Sequence, residues 1–342
     1  WFGYVKIYTI DGVLATATSA VATFLYLGAF RLGINGFILA IFTSDMLSVL
    51  FLYFAVKLWR YIDFKHGLKK TTVIPMLKYC IPLIPTVILW WIMNVSDQYM
   101  VTYYNGVALS GLYTAAYKIP NFVIIFSAIF INAWQLSAVD EYNNSGNSKF
   151  FSNIFKVYSG ALFAAGALLI TFSRIITDFY LGKEYYESWH YVPVLVIATF
   201  FSCLVNFYAS VYMAKKKSML SMLTATAGAV VNIVLNFILI PRIGAYGAAI
   251  ATAVSFVVVF VIRAINTKQF VNIKIEWFTF ISSAILLLSS AVVMMLETAG
   301  KWQSFAISSA LTLLVIIINF RSVTDIIKLL LDKFVKKSGK KA

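Results

Sequence analysis

The 342-residue chain reads as an all-α integral membrane protein, with ten transmembrane helices visible of an expected fourteen. The full set would form two pseudo-symmetric six-helix lobes plus two extra helices. Three observations predict this: composition, the sidedness of the basic residues, and an internal repeat. Hydrophobic residues make up 61% of the chain and charged residues 12%, which excludes an ordinary soluble globule. Stretches of roughly 20 apolar residues, long enough to cross about 30 Å of hydrocarbon, fall at 8–30, 34–56, 77–96, 107–137, 152–172, 191–213, 219–240, 244–265, 278–296 and 302–320. The 107–137 stretch is long enough to tilt or to kink at Pro120.

Lys and Arg favour cytoplasmic loops, so they test the span count. Twenty-two of the 28 fall on one side of the alternation: Lys6, the 57–78 group, Lys149, Lys156, Lys215 to Lys217, Arg263, Lys268, Lys274, Arg321 and six tail lysines. Five fall on the other side, namely Arg31, Arg174, Lys183, Arg242 and Lys301, and Lys118 lies inside a span. The expected topology therefore has both visible ends in the cytoplasm. The net charge of +15 reads as sidedness and attraction to anionic lipid. No nucleic-acid partner is expected, because no basic patch sits on a soluble domain.

The repeat is Arg31-Leu32-Gly33-Ile34-Asn35-Gly36, which recurs 211 residues later as Arg242-Ile243-Gly244-Ala245-Tyr246-Gly247. Each copy sits between two apolar spans, the pattern of a duplicated multi-span transporter whose lobes rock about a shared site. Five segments follow. Residues 1–58 are expected to end the first lobe, 59–76 to form a basic cytoplasmic linker, and 77–270 to form the second six-helix lobe. Residues 277–320 would supply the two extra spans, and 321–342 a basic amphipathic tail on the inner membrane surface. The chain starts at Trp1, and the repeat offset places a partner for the 77–96 span upstream of it. About 130 residues and four spans are therefore expected to precede position 1.

Cys80 and Cys203 lie in apolar spans without metal-ligand spacing, so neither a disulfide nor a metal site is expected. His66 and His190 have no nucleophile or carboxylate arrangement nearby, and no cofactor or enzymatic role is expected.

Polar residues inside the membrane carry the functional reading, since a charge at a helix centre costs about 2.5–3.5 kcal/mol. Lys118, in Tyr113-Thr114-Ala115-Ala116-Tyr117-Lys118-Ile119-Pro120-Asn121, lies about three turns in from one end of its span. It either faces a water-filled cavity and holds an anionic substrate group, or pairs with a carboxylate such as Asp45. Pro120 frees the carbonyl of Ala116 and bends the helix beside the lysine, either to line a substrate site or simply to pack. Asp97 closes the 77–96 span in this reading, as a coupling carboxylate or as a cap in water. Asp11 and Asp45 are coupling candidates in the partial first lobe. Asn232 and Asn236 share a helix face and either line the cavity or hydrogen-bond between helices. Trp134, with Trp90 and Trp91, either stacks on sugars or packs. Asn121 completes the substrate-binding set, and the small residues Gly244, Gly247, Ala248 and Ala251 read as close helix packing.

Several ordered motifs carry a family resemblance: Ser96-Asp97-Gln98-Tyr99-Met100; Gly111-Leu112-Tyr113 before Ala116-Tyr117-Lys118-Ile119-Pro120; Ala133-Trp134-Gln135 with Glu141-Tyr142; and Gly182-Lys183-Glu184-Tyr185-Tyr186. Asn232, Asn236, Ile240-Pro241-Arg242-Ile243-Gly244 and Gly247 to Ala253 continue the series. Over 75–270 the chain resembles the second lobe of a Wzx-type polysaccharide flippase. That family belongs to the MOP superfamily, with the MATE drug exporters and the lipid II flippase. Leu136 departs from the proline often found after Trp-Gln in the family.

The resemblance implies a flippase that moves undecaprenyl-pyrophosphate-linked oligosaccharide, such as an O-antigen, capsule or teichoic-type repeat unit, from the inner to the outer leaflet of a bacterial cytoplasmic membrane. It implies coupling to H+ or Na+ and polysaccharide-assembly partners. An inside-negative potential would supply about 5 kcal/mol per 100 mV for a dianion, and the chain contains no Walker-type nucleotide loop. A MATE-like exporter of small molecules is the alternative, expected to place carboxylates rather than Lys118 in the second-lobe site. A polysaccharide polymerase or ligase would need a larger external loop than the 18 residues of 173–190.

Overall fold

The computed structural model describes residues 5–60, 70–144, 148–296, 300–320 and 324. Among these residues the structure is all-helical, and ten helical stretches are long and apolar enough to cross a membrane. The ten-span reading therefore holds, with adjusted limits. The amphipathic tail and positions 61–69 of the basic linker lie outside the described residues.

The chain divides into two compact units, Trp1–Met76 and Leu77–Ala342. In the first unit, α1 (Val5–Thr23) continues through a π-helical turn (Phe24–Ala29) and packs against α2 (Gly33–Ala55). Two polar contacts join them: Ser48 Oγ donates to Asp11 Oδ1 at 2.7 Å, and Ser44 Oγ donates to the Ala15 carbonyl at 2.8 Å. Asp11 is thereby buried and bonded, whereas Asp45 on α2 is exposed. Helix α3 (Lys70–Cys80) crosses the boundary into the second unit.

The second unit holds α4 (Leu83–Asn105), α5 (Val107–Ala116), α6 (Lys118–Asn144), α7 (Ser148–Thr171), α8 (Ser173–Leu181), α9 (Val192–Ala214), α10 (Ser218–Ile243), α11 (Ala245–Asn266), α12 (Trp277–Leu296) and α13 (Lys301–Ile318). Helix α9 is apolar all round, and it is the central post, buried along most of its length and packed by α6, α7 and α11. Helix α10 packs on α11 and α4. Aromatic rings fill the centre: Phe163 and Phe200 lie 4.2 Å apart, and Phe280 of α12 stacks on Phe260 at 5.7 Å.

Helices α12 and α13 dock on α7 through hydroxyls. Thr171 Oγ1 lies 2.6 Å from Ser308 Oγ and 2.8 Å from Thr312 Oγ1, and Ser290 Oγ lies 2.7 Å from Ser308 Oγ. Asn319 Nδ2 donates to Ser283 Oγ at 2.8 Å. Hydrocarbon supplies no hydrophobic drive between helices, so such bonds and close packing hold the pairs.

The sequence repeat has a backbone cause. Gly33 and Gly244, equivalent in the two copies, adopt φ of +58° and +59°, a left-handed region that glycine enters without steric cost. Gly36 and Gly247, also equivalent, sit where chains nearly touch. A Cβ on Gly36 would come within 3.0 Å of the Tyr26 carbonyl oxygen, and one on Gly247 within 2.5 Å of the Leu239 carbonyl carbon. Each copy thus needs glycine at a positive-φ position and again at a close approach to the preceding helical segment, although the turns differ: Arg31 also has a positive φ, +52°, whereas Arg242 lies within α10.

Arg263, counted on the cytoplasmic side and within the 244–265 span, is wholly buried near the end of α11. Its Nε donates to Thr224 Oγ1 at 3.0 Å and Nη1 to the Val205 carbonyl at 2.8 Å, with the rings of Trp90 and Tyr212 5.5 and 5.6 Å away. Three backbone segments thus share one guanidinium, which the sequence pattern of a helix-end arginine does not reveal.

Gly247→Ala should destabilise the protein by about 1–3 kcal/mol, because its Cβ meets backbone rather than a movable side chain. Gly12→Ala, with nothing within 4 Å of the added Cβ, should leave thermal unfolding in detergent unchanged or slightly improved. Thermal melts of the two purified variants check this.

Candidate functional site

The site is built around a break in the chain. The long 107–137 stretch does not form one helix: α5 ends at Ala116, Tyr117 is a turn residue, and α6 begins at Lys118. Pro120 has no N–H to give the Ala116 carbonyl, so one helical bond is missing at the joint. The bond from Asn121 N to the Tyr117 carbonyl, 3.2 Å, carries the chain across. The irregularity therefore lies immediately before Lys118.

Two faces of α5 do different work. One lines an open pocket of about 580 Å³ with Ser110, Gly111 and Thr114, and Lys118 of α6, Tyr180 of α8 and Tyr185 from the segment after α8 contribute to the same pocket. Lys118 is exposed there and makes no ion pair with a described residue. Asn121 is exposed on the next turn of α6, and Pro120 is buried.

The other face carries Tyr113 and Tyr117 toward Asp97. This carboxylate does not close a helix end, because α4 runs on to Asn105, and Asp97 is 0% exposed. The reading of Asp97 as a cap in water is therefore corrected. Its Oδ2 accepts from Tyr113 Oη at 2.7 Å, Tyr117 Oη at 3.0 Å and Thr252 Oγ1 of α11 at 3.4 Å, while Oδ1 accepts from the Gln98 N–H at 2.8 Å. The two tyrosine hydroxyls lie 3.2 Å apart. A buried carboxylate is tolerated only when donors replace its lost water, and here four do so.

The network extends into α10. Asn232 Nδ2 donates to Thr252 Oγ1 at 3.2 Å, and Asn232 Oδ1 accepts from Asn236 Nδ2 at 3.1 Å and from Ser96 Oγ at 3.4 Å. Asn232 and Asn236 are both 0% exposed, and Asn236 Oδ1 is buried with no hydrogen-bond donor. Carboxylate, amide and hydroxyl oxygens thus converge from α4, α10 and α11. Such a set can accept a proton or hold a hard monovalent cation. Among the described residues no cluster of three His, Cys, Asp or Glu occurs.

The structure thus brings Asp97, Asn232 and Asn236 together, and sets Lys118 and Asn121 at the neighbouring joint. Trp134 is elsewhere. It is 4% exposed, its Nε1 donates to Ser210 Oγ at 2.8 Å, and its ring stacks on Phe207 at 5.0 Å. A ring so enclosed offers no platform to a sugar, so the binding role expected of Trp134 gives way to packing. Asp11 and Asp45 belong to the first unit. The sequence reading missed the roles of Tyr113, Tyr117, Thr252 and Ser96. The one signal available was the four-residue spacing of the two tyrosines beside a proline.

Asp97→Ala would leave Thr252 and at least one of the two tyrosine hydroxyls, which can still bond each other, without an acceptor, at about 1–3 kcal/mol for each buried unsatisfied group. Asp97→Asn, which keeps an acceptor oxygen, should lose less. Denaturation midpoints of the two variants should rank in that order.

No protein-family model matches the chain, and no curated protein matches it by sequence. Solved structures do match it. The lipid II flippase MurJ in an inward closed conformation aligns with a TM-score of 0.60 at 19% identity, over 93% of this chain and 67% of that one. A MOP superfamily transporter from Pyrococcus furiosus aligns at 0.40 and 18% identity, over 73% of this chain and 63% of its own. An outward-facing MATE transporter of the MOP superfamily aligns at 0.36 and 19%, with the same coverages. The first of these alignments shows the fold: this chain has the helical membrane architecture seen in the lipid II flippase MurJ.

Proposed function

We propose that the protein flips a lipid-linked oligosaccharide, an undecaprenyl-pyrophosphate-linked sugar repeat unit, from the inner to the outer leaflet for cell-surface polysaccharide synthesis. The observation that carries this reading is the exposed Lys118 in a half-polar pocket at a broken membrane helix. A pyrophosphate needs a cation that is free to receive it. Lys118 is such a cation, with hydroxyls of Thr114, Tyr180 and Tyr185 around it to meet sugar hydroxyls. In the orientation set by the positive-inside pattern, this pocket belongs to the outer half of the membrane. The polyprenyl tail stays in lipid throughout.

Transport draws on a cation gradient, H+ or Na+, through Asp97. Its oxygen-rich, buried surroundings suit a small cation and leave no access for a drug-sized one. That weighs against the exporter alternative, because the buried carboxylate Asp97 lies outside the pocket while the lysine Lys118 lies within it.

Cells depleted of the full-length protein should accumulate lipid-linked oligosaccharide in the inner leaflet. Wild type should restore export, Lys118→Ala should not, and Lys118→Arg should restore it in part. Normal surface polysaccharide without the protein would sink the flippase reading and bring the exporter forward. In reconstituted vesicles, Asp97→Asn should abolish stimulation of flipping by an imposed Na+ or H+ gradient; stimulation that survived the substitution would remove Asp97 from coupling.

A further inference from the structure

Helix α5 is ten residues long and stands between two polar environments. On one face Ser110, Gly111 and Thr114 line the Lys118 pocket. On another, Tyr113 and then Tyr117 reach Asp97 Oδ2, at 2.7 and 3.0 Å. Lys118 follows Tyr117 directly in the chain, at the joint that Pro120 weakens. The side chain fastened to the carboxylate and the side chain in the pocket are therefore consecutive residues.

We infer that Tyr113 and Tyr117 are positioning residues that tie the occupancy of Asp97 to the placement of Lys118, so that uptake of a cation or proton at the carboxylate releases the α5–α6 joint. This deepens the coupled transport proposed above and rests on it for the identity of the transported headgroup. The chemistry is that of hydrogen-bond capacity. As an anion, Asp97 Oδ2 accepts from both tyrosines and from Thr252. A proton on Oδ2 turns that oxygen into a donor, and a metal cation takes up its lone pairs. In either case Oδ2 keeps fewer lone pairs for its three donors, of which Thr252 at 3.4 Å is the most weakly held and Tyr117 at 3.0 Å the next. Tyr117 is the looser of the two, half-buried with the longer bond, while Tyr113 is 0% exposed and lies edge-on to Tyr191 at 6.2 Å. Of the groups facing the carboxylate, only the two tyrosines titrate. Asn232 and Asn236 of α10 and Thr252 of α11 carry no charge, and Lys118 lies in the pocket.

The test reads the pocket directly. In the full-length protein with Cys80→Ser, Thr114→Cys places a thiol at an exposed position of the pocket, while Cys203 stays buried. Labelling by a charged maleimide is timed in membrane vesicles without substrate. Asp97→Asn should raise the rate about fivefold or more, the scale of a typical coupling free energy. Tyr113→Phe with Tyr117→Phe should raise it equally with Asp97 intact, and combining all three should add nothing further. Thr252→Val, which removes a donor to the same oxygen from α11, should label at the wild-type rate. The inference is overturned if the tyrosine pair labels as wild type, if Asp97→Asn does, or if Thr252→Val matches the tyrosines, which would mean general loosening. Where the paired variant fails to accumulate, Tyr117→Phe alone is read against the same outcomes. Because no substrate is present, a failed flipping assay and a failed labelling assay remain distinct results.

Discussion

The buried Asp97 carboxylate constrains everything around it. A charge in the middle of an apolar helix survives only if protein donors replace water, and the second unit supplies them from its own backbone, from the α5 segment and from α11. That requirement fixes the rotation of α5, because two residues one turn apart must face α4 together. With that face committed, the remaining faces of α5 line the pocket, and Lys118 follows at the joint.

The same economy of polar groups runs through the rest of the second unit. Hydroxyls of Thr171, Ser290, Ser308 and Thr312 satisfy one another where α12 and α13 meet α7. Arg263 is held by a hydroxyl, a carbonyl and two aromatic rings rather than by a bonded carboxylate. Dispersion contacts of stacked rings occupy the space between these polar points, with α9 as the common wall. Trp134 of α6 packs against that wall. Its indole satisfies its single donor on Ser210 and spends its surface on Phe207, Phe150 and Phe151.

The joint at Tyr117 is the irregular point of this packing. Missing one backbone bond, it is a place where a helix can bend at little cost, and it lies between the Asp97 network and the open pocket. A lobe packed as tightly as α9 to α11 has few such points. Coupling between two sites needs an element with two arrangements that both sites bias, and the α5–α6 joint is the segment that touches both.

Much of this was legible in the sequence. Span number follows from hydropathy because hydrocarbon thickness is fixed, and the break near Lys118 follows from Pro120, whose missing N–H is a covalent fact. The repeat was legible because Gly33 and Gly244 must adopt positive φ and Gly36 and Gly247 must lack a Cβ, constraints that act on residue identity one position at a time. The ends of helices, the partners of Asp97 and the fates of Trp134 and Arg263 were decided only by tertiary structure. Asp97, Tyr113, Asn232 and Thr252 are up to 155 residues apart, and an acidic residue near the end of an apolar run looks the same whether water or three helices solvate it. Local chemistry sets what each segment must be; which polar group answers which is a property of the packed lobe, because hydrogen bonds in a medium without water depend on the neighbours that folding brings.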